Sequence, residues 1–416
     1  MGEPSLLPFL AGKAADRTTA AGWTRWRLGR KSFTPAPAIS LGEYRAMSPR
    51  QRHLHDLHRI ATHSNLAIQE TPMSAVVGGL MRRRIQAGAF KGTERTRAGL
   101  MVNGGGFQGK TETVCEIAAA FEDEWLELND YLNPDAIPGT RDLIAPAAYV
   151  QTPVTARPVS LCQAILDFYG EDYKGMTLGA LTRAVRRAIR DHATRVLILD
   201  DITRLKMHRE ADQDVLDLVR DLMSLAVVIL VGVGIPRSGL LREGRVGQRT
   251  GEWLFPPVKD KGKSPNDEAA TQTERRFRLV SLDPFSYDTP GGIAAWTSHL
   301  AGIEAQLRLF SAGEDPLTSG TMPEYLFRRT GGVVGLLACL IEEACMAAID
   351  GGTERLSTSL LDEIAIDLSR IPGRDPGAGE VPGPPATGGA PRKARNRPRS
   401  TVFDDKGGAS TSAAAN

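Results

Sequence analysis

The sequence predicts an α/β fold in which a parallel sheet carries helices on both faces and a helical region follows it. Three observations lead there. Gly104-Gly105-Gly106-Phe107-Gln108-Gly109-Lys110-Thr111 matches G-x-x-x-x-G-K-[ST], a P-loop, placed after the apolar run Gly99-Leu100-Met101-Val102 and before a helical stretch from Glu112 to Phe121. Two further runs, Arg195-Val196-Leu197-Ile198-Leu199-Asp200-Asp201 and Val227-Val228-Ile229-Leu230-Val231-Gly232, are continuously apolar, the pattern of strands buried on both faces. Helical periodicity separates these runs, so the connections read as crossovers and the sheet as parallel.

Taken in order, residues 1–45 mix Pro, Gly, Ala and Arg without a period and predict a flexible N-terminal arm. Trp23 and Trp26 stand there among Arg25, Arg27, Arg30 and Lys31, a set that suits docking on a partner or nucleic acid, or packing back onto the body. Helices are expected from Ser48 and over Met73 to Ala87. After the P-loop helix come a strand at Ala147–Gln151, closed by Thr152-Pro153, and helices at Ser160 to Tyr169, Leu178 to His192 and Asp212 to Leu225. Residues 239–275 are polar and predict a long irregular connection. Arg278–Leu282 reads as the last strand, and Asp283-Pro284-Phe285 leads into helices that run to about Ile371. Beyond Pro372 the chain turns to Gly, Pro, Ala and Ser with Arg392, Lys393, Arg395, Arg397 and Arg399, a composition that cannot bury a core. The expected units are an arm (1–45), a nucleotide-binding α/β domain with N-terminal helices (46–285), a helical lid (286–371) and a disordered basic tail (372–416).

Composition narrows the partners. With 51 Lys and Arg against 49 Asp and Glu, the net charge is +2, so nucleic-acid binding would have to come from local patches. The row Arg183, Arg186, Arg187 and Arg190 recurs at helical spacing; it suits tracking phosphates or forms a solvated helix face. Arg82, Arg83 and Arg84 with Lys91, Arg95 and Arg97 form a second cluster, and Arg242, Arg245 and Arg249 a third. None carries a base-reading motif, so any duplex DNA binding is expected to be independent of sequence. Cys115, Cys162, Cys339 and Cys345 lie in apolar contexts without metal-ligand spacing, which predicts buried thiols in a reducing cytoplasm. No run reaches membrane-span length, and no membrane partner is expected.

The chemistry concentrates on a nucleotide. A glycine-rich turn entering a helix surrounds a triphosphate with backbone N–H groups, which assigns Gly104, Gly105, Gly106, Phe107, Gln108, Gly109, Lys110, Thr111 and Glu112 to the cofactor, ATP. Lys110 would reach the β/γ-phosphates, while Thr111 and Asp200 would hold Mg2+. Asp201, just past the strand tip, is placed to orient or deprotonate the attacking water. The sequence shows no zinc, nuclease, Ser-His-Asp or Cys-His constellation.

Together the P-loop, the Asp200-Asp201 strand, the strand ending Val231-Gly232-Val233-Gly234-Ile235-Pro236, Arg275-Arg276-Phe277 and the helical lid resemble an AAA+ ATPase. Within that superfamily the chain is similar to TniB and TnsC, ATP-dependent helpers of transposition, over residues 43–369. The similar features are the helices opening at Glu43-Tyr44-Arg45 and reaching Arg59, the strand Tyr149-Val150-Gln151-Thr152-Pro153 with the helix that follows it, and the Arg-Phe before the final strand. The resemblance implies that Arg276 is an arginine finger reaching a neighbouring subunit's γ-phosphate; otherwise Arg275, Arg276 and Arg278 form a solvated strand edge or a DNA-facing patch. It also implies a ring or filament that assembles on DNA with ATP and recruits a transposase or integrase. Three departures stand against a simple hydrolase. Asp201 occupies a position where many AAA+ members carry Glu, Val233 and Gly234 offer no polar sensor, and Gly335 stands where a sensor arginine often lies, with Arg328 and Arg329 upstream. The alternative is a regulatory or anti-phage-defence NTPase switch acting on a protein partner without DNA.

Overall fold

A computed structural model describes residues 15–366, apart from 138, 140–142, 156, 206–209, 242–244, 248–252, 255–264, 312 and 314–315. The expected basic tail, Arg242 and Arg249 lie outside the described residues, as do the first fourteen positions and the side chain of Arg245.

Five strands, β1 (Gly99–Gly104), β2 (Ala147–Gln151), β3 (Val196–Asp200), β4 (Val227–Val233) and β7 (Phe277–Leu282), form one parallel sheet in the order β2-β3-β4-β1-β7. The continuous apolar runs explain the arrangement, because every residue of β1 and β3 is buried and both faces of the sheet are covered. Register aligns the strand ends: Gly104 pairs with Val233 and Leu282, and Gln151 with Asp200. The P-loop and the two aspartates therefore leave the sheet at the same edge, as ligand sites of open parallel sheets do. A two-residue ladder, β5 (Arg245–Val246) with β6 (Trp253–Leu254), lies within the long polar connection. That connection also contains a helix, α9 (Pro265–Arg276), which its polar composition conceals in the sequence.

Around the sheet run α4 (Pro72–Ala89), α5 (Lys110–Leu132), α6 (Pro158–Tyr169), α7 (Leu178–Asp191) and α8 (Glu210–Leu222). The P-loop helix α5 is a full eleven residues longer than its apolar period suggests, continuing through an acidic stretch from Glu122 to Leu132.

Residues 20–29, expected within a flexible arm, instead form helix α1 (Ala20–Gly29), capped by the Thr19 side chain and docked on α5. Trp23 is 1% exposed, and its indole N–H donates to Glu122 Oε2 at 2.8 Å. Arg27 Nε lies 3.1 Å from Glu122 Oε1, and Arg30 reaches Asp123 at 2.5 Å and Glu116 at 3.3 Å. Two of the four cations that suggested an external partner, Arg27 and Arg30, are matched by acids on α5, about ninety residues away in sequence, while Arg25 and Lys31 are exposed.

A second apolar cluster gathers Phe285, Trp296, Leu300, Leu326, Leu337 and Leu340 from α10 (Pro290–Glu304), α11 (Met322–Thr330) and α12 (Val334–Asp350), with α13 (Thr358–Asp362) closing it. Leu66 and Met73, beside α3 (Pro49–Ser64) and α4, pack against this cluster. The short α2 (Leu41–Ala46) precedes α3. Arg59 of α3 is 1% exposed and joins the lid through Glu354 at 2.7 Å, with Asp56 at 2.6 Å completing the pairing. Cys115, Cys162 and Cys345 are buried as expected, but Cys339 is exposed because it sits on the outer side of α12.

Candidate functional site

The P-loop leaves β1 at Gly104, where a Cβ would stand 2.6 Å from the Leu282 carbonyl oxygen, so glycine is required by close approach of β7. The turn passes through the left-handed region at Phe107 (φ 58°) and Gly109 (φ 70°) before Lys110 starts α5. For Phe107 this conformation is costly, and a fixed contact holds it: its carbonyl accepts the Gly335 N–H at 2.8 Å. Gly335 thus belongs where a side chain cannot, since a Cβ there would lie 2.5 Å from the Phe107 oxygen. The lid helix α12 begins directly against the P-loop.

Lys110 is buried and its ammonium donates to the Gly105 carbonyl. Burial lowers its pKa, while Asp200 and then Asp201 act in the opposite sense. Thr111 Oγ1 donates to Asp200 Oδ2 at 2.7 Å, which brings together the two residues expected to share a metal. Asp200 is 5% exposed and accepts two more hydrogen bonds, from the Tyr149 hydroxyl at 2.9 Å and the Asp201 N–H at 2.8 Å. Burial, then the adjacent Asp200, push the Tyr149 phenol well above its usual range, so it remains a donor. Tyr149 was read from sequence only as a strand residue. The signal was its place one residue before Val150 on the strand that pairs with β3.

Asp201 adopts the left-handed conformation (φ 54°) just past β3. Its carboxylate is held by Arg204 at 2.8 Å and by the Gln151 amide at 3.1 Å. Glu112 does not face open solvent alone: Arg17 grips it with two bonds of 2.7 and 3.0 Å and lies over the Trp26 and Tyr149 rings. At the end of β4, where Val233 and Gly234 lack polar side chains, Asn103 of β1 supplies one. Its Oδ1 accepts the Ile235 N–H at 2.9 Å and its amide donates to Ser281 at 3.2 Å. A polar residue in an otherwise apolar strand was the sequence signal that reading by position missed.

Beside the P-loop opens a cleft of about 200 Å³, walled by Leu66, Ile68, Met73, Ile303, Val334 and Ala338 and closed at one end by Gln108, Gly109 and Thr113. Of the residues around it, Gln108, Gln69 and His299 each hold a buried side-chain atom, Oε1, Nε2 and Nδ1 respectively, without a hydrogen-bond partner among the described residues. Such atoms are costly when buried and unpaired. A largely aliphatic slot thus adjoins the glycine-rich turn. No cluster of three or more His, Cys, Asp or Glu that could hold a metal ion occurs among the described residues.

Residues 96–236 match a family model described as AAA domain. That segment is thus similar to an AAA-type domain. The matched span runs from before β1 to beyond β4 and includes the P-loop and both aspartates. No curated protein matches the sequence. Among solved structures the chain is similar to the Aeropyrum pernix ORC1 protein in complex with DNA, at 15% identity and a TM-score of 0.46, over 72% of this chain and 66% of that one. It is similar to the Aeropyrum pernix ORC2 protein (14%, TM-score 0.45, 72% and 71%) and to domain III of the Thermotoga maritima replication initiation protein DnaA (12%, TM-score 0.40, 72% and 92%).

Away from the P-loop, the structure revises the basic row on α7. Arg186 pairs with Asp221 at 2.7 Å and Glu94 at 3.1 Å, Arg190 with Glu94 at 2.7 Å, and Arg187 with Glu171 at 4.0 Å. Arg97 is buried and spends its donors on the carbonyls of Gly88, Arg95 and Ser224. Arg329 likewise caps Leu361 and Ile364 at 2.8 and 2.6 Å, and Arg328 pairs with Glu324 at 2.5 Å. Arg276 ends α9, at the opposite edge of the sheet from the P-loop. Arg82 and Arg83 remain exposed on α4. No single helix among the described residues is long and apolar enough to cross a membrane.

Proposed function

We propose that the chain binds ATP with Mg2+ and hydrolyses it slowly. The observation that carries this reading is the 2.7 Å bond between Thr111 and Asp200 at the mouth of an intact P-loop whose lysine is buried beside them. Lys110 would neutralise the β/γ-phosphates, and Thr111 with Asp200 would hold the metal. Asp201 is the general base of this reading. Its carboxylate, one methylene shorter than glutamate, is held by Arg204 and Gln151, so orienting water requires exchanging a partner; this supports slow turnover.

Arg276 in this reading serves a second copy. Between Phe277 and Leu282 the strand spans roughly 17 Å, so the guanidinium of Arg276 stands away from its own P-loop and could meet only a neighbour's phosphate. Nucleotide between protomers makes self-assembly ATP-dependent, as a ring or filament. Assembly on duplex DNA and recruitment of a transposase or integrase rest on the resemblance to TniB and TnsC. One observation favours the second reading, a switch that acts on a protein partner: Arg186 and Arg190 of the α7 row are already matched by acids, which weakens one expected phosphate track.

The test is ATP binding and oligomer size with ATP, ADP or no nucleotide, with and without duplex DNA, for wild type, Lys110→Ala and Arg276→Ala. ATP-dependent oligomers that both variants lose support the interface reading, and DNA-dependent assembly supports the transposition-helper branch. Tight ATP binding with no effect of DNA moves the reading to the protein-partner switch, and no ATP binding by wild type overturns it altogether.

A further inference from the structure

Glu112 stands in the first turn of α5, directly after Lys110 and Thr111. A carboxylate there favours the helix N-terminus, but it carries the wrong charge beside a loop shaped for phosphates. The chain compensates it from far away in sequence. Arg17, 95 residues earlier, closes a two-bond fork on Glu112, with Nη2 donating to Oε1 at 2.7 Å and Nη1 to Oε2 at 3.0 Å. Among the described residues Glu112 has no other cationic partner. The surroundings of Arg17 hold this fork in place. Asp16 accepts the Thr18 N–H at 2.9 Å and the Thr18 hydroxyl at 2.6 Å, which fixes the turn that carries Arg17 into α1. The guanidinium lies 5.1 Å from the centre of the Trp26 ring and 5.7 Å from that of Tyr149, on which Trp23 also stacks at 6.4 Å. Since the Tyr149 hydroxyl donates to Asp200, one side chain separates Arg17 from a residue expected to hold the metal.

We propose that Arg17 is a positioning residue of the nucleotide site: by pairing Glu112 it removes a negative charge from the approach of the phosphates, so that docking of α1 becomes a condition of tight phosphate binding. The inference deepens the ATP-binding reading and rests on it. An unpaired carboxylate repels a phosphate chain over the Debye length, about 10 Å at 0.1 M salt, and one helix turn rises only about 5.4 Å. The Glu112 side chain is 44% exposed, so water screens part of this repulsion and the effect is a modest factor rather than a loss of binding. A bidentate guanidinium stacked on two rings holds the carboxylate in one geometry, which a lysine could not do. Linkage makes the coupling reciprocal: if docked α1 tightens phosphate binding, bound phosphate tightens the docking of α1 by the same factor. The tryptophan segment is then a handle on the site, because anything that pulls α1 away uncovers Glu112 and loosens the nucleotide.

The test compares wild type with Arg17→Met, which keeps an unbranched side chain without the charge, and with the double variant Arg17→Met/Glu112→Gln, which removes the acid as well. Each is measured by calorimetry for binding of ATP with Mg2+ and of inorganic tripolyphosphate, at low and at high salt, together with its melting temperature. Arg17→Met should bind both ligands about threefold to tenfold more weakly at low salt, and the gap should narrow at high salt. The double variant should recover most of that affinity while melting at the same temperature as Arg17→Met, because α1 has lost the same anchor in both. A merely structural role predicts that affinity follows melting temperature, with no recovery. Unchanged affinity in Arg17→Met, or a double variant as weak as the single one, overturns the inference. Failure of wild type to bind either ligand instead removes the ATP reading on which it stands.

Discussion

Gly335→Ala separates two physical expectations of opposite sign. Position 335 lies in the first turn of α12, where alanine is intrinsically a better helix former than glycine by roughly 1 kcal/mol, so propensity alone predicts a stabilised lid. The contact geometry predicts the contrary. An added Cβ would sit 2.5 Å from the Phe107 carbonyl oxygen and 3.0 Å from its Cβ, and both neighbours belong to the P-loop. Relief requires the lid and the loop to separate, which stretches the 2.8 Å bond from the Gly335 N–H and frees Phe107 from the contact that holds its left-handed backbone. Overpacking of this kind costs about 1–3 kcal/mol and the lost hydrogen bond about 1 kcal/mol, so after the propensity gain a net loss of about 1–3 kcal/mol is expected. Urea melts of wild type and variant, read beside ATP affinity, decide it. The variant should be less stable and bind ATP several-fold more weakly, because a displaced P-loop presents its amides wrongly. A variant as stable as wild type with unchanged affinity would refute the proposed dependence of P-loop shape on the lid.

Other consequences are equally direct. Trp23→Ala removes a fully buried indole and the donor to Glu122, and should cost about 3–5 kcal/mol in denaturant melts; a loss below about 1 kcal/mol would mean that α1 is not docked as described. Tyr149→Phe deletes one of three hydrogen bonds to Asp200 and should weaken Mg2+-dependent ATP binding roughly threefold to tenfold, with little change in metal-free binding; equal effects with and without Mg2+ would reduce Tyr149 to packing. His63 and His299 carry a pH prediction. Burial lowers each from 6.5 to about 4, for His63 with help from Arg59 and Arg308, and His63 Nε2 already accepts the Arg308 N–H at 2.9 Å. Because the folded state binds fewer protons than the unfolded one, stability should be full above about pH 6.5 and fall as pH drops toward 4, by up to ~3 kcal/mol for each histidine. The difference between wild type and His299→Phe over that range isolates one share, and parallel pH profiles would sink the assignment.

What was legible in the sequence is what is local. The P-loop residues, Asp200 and the strand runs announce themselves because a phosphate turn needs glycines in series and a central strand needs uninterrupted apolar side chains. The pairing of Thr111 with Asp200 needed the sheet order as well, because β3 stands one strand away from the P-loop strand, across β4. What escaped is complementarity between distant segments. Arg27 and Arg30 look like a free basic patch until Glu116, Glu122 and Asp123 are brought opposite them, and Arg186 and Arg190 do so until Glu94 and Asp221 arrive. A charge row on one helix specifies a partner only when the facing element is known, and the chain itself supplied that element twice. The cleft beside the P-loop was hidden for the same reason, since Gln69, Gln108 and His299 are separated by up to 230 positions and each alone reads as an ordinary polar residue.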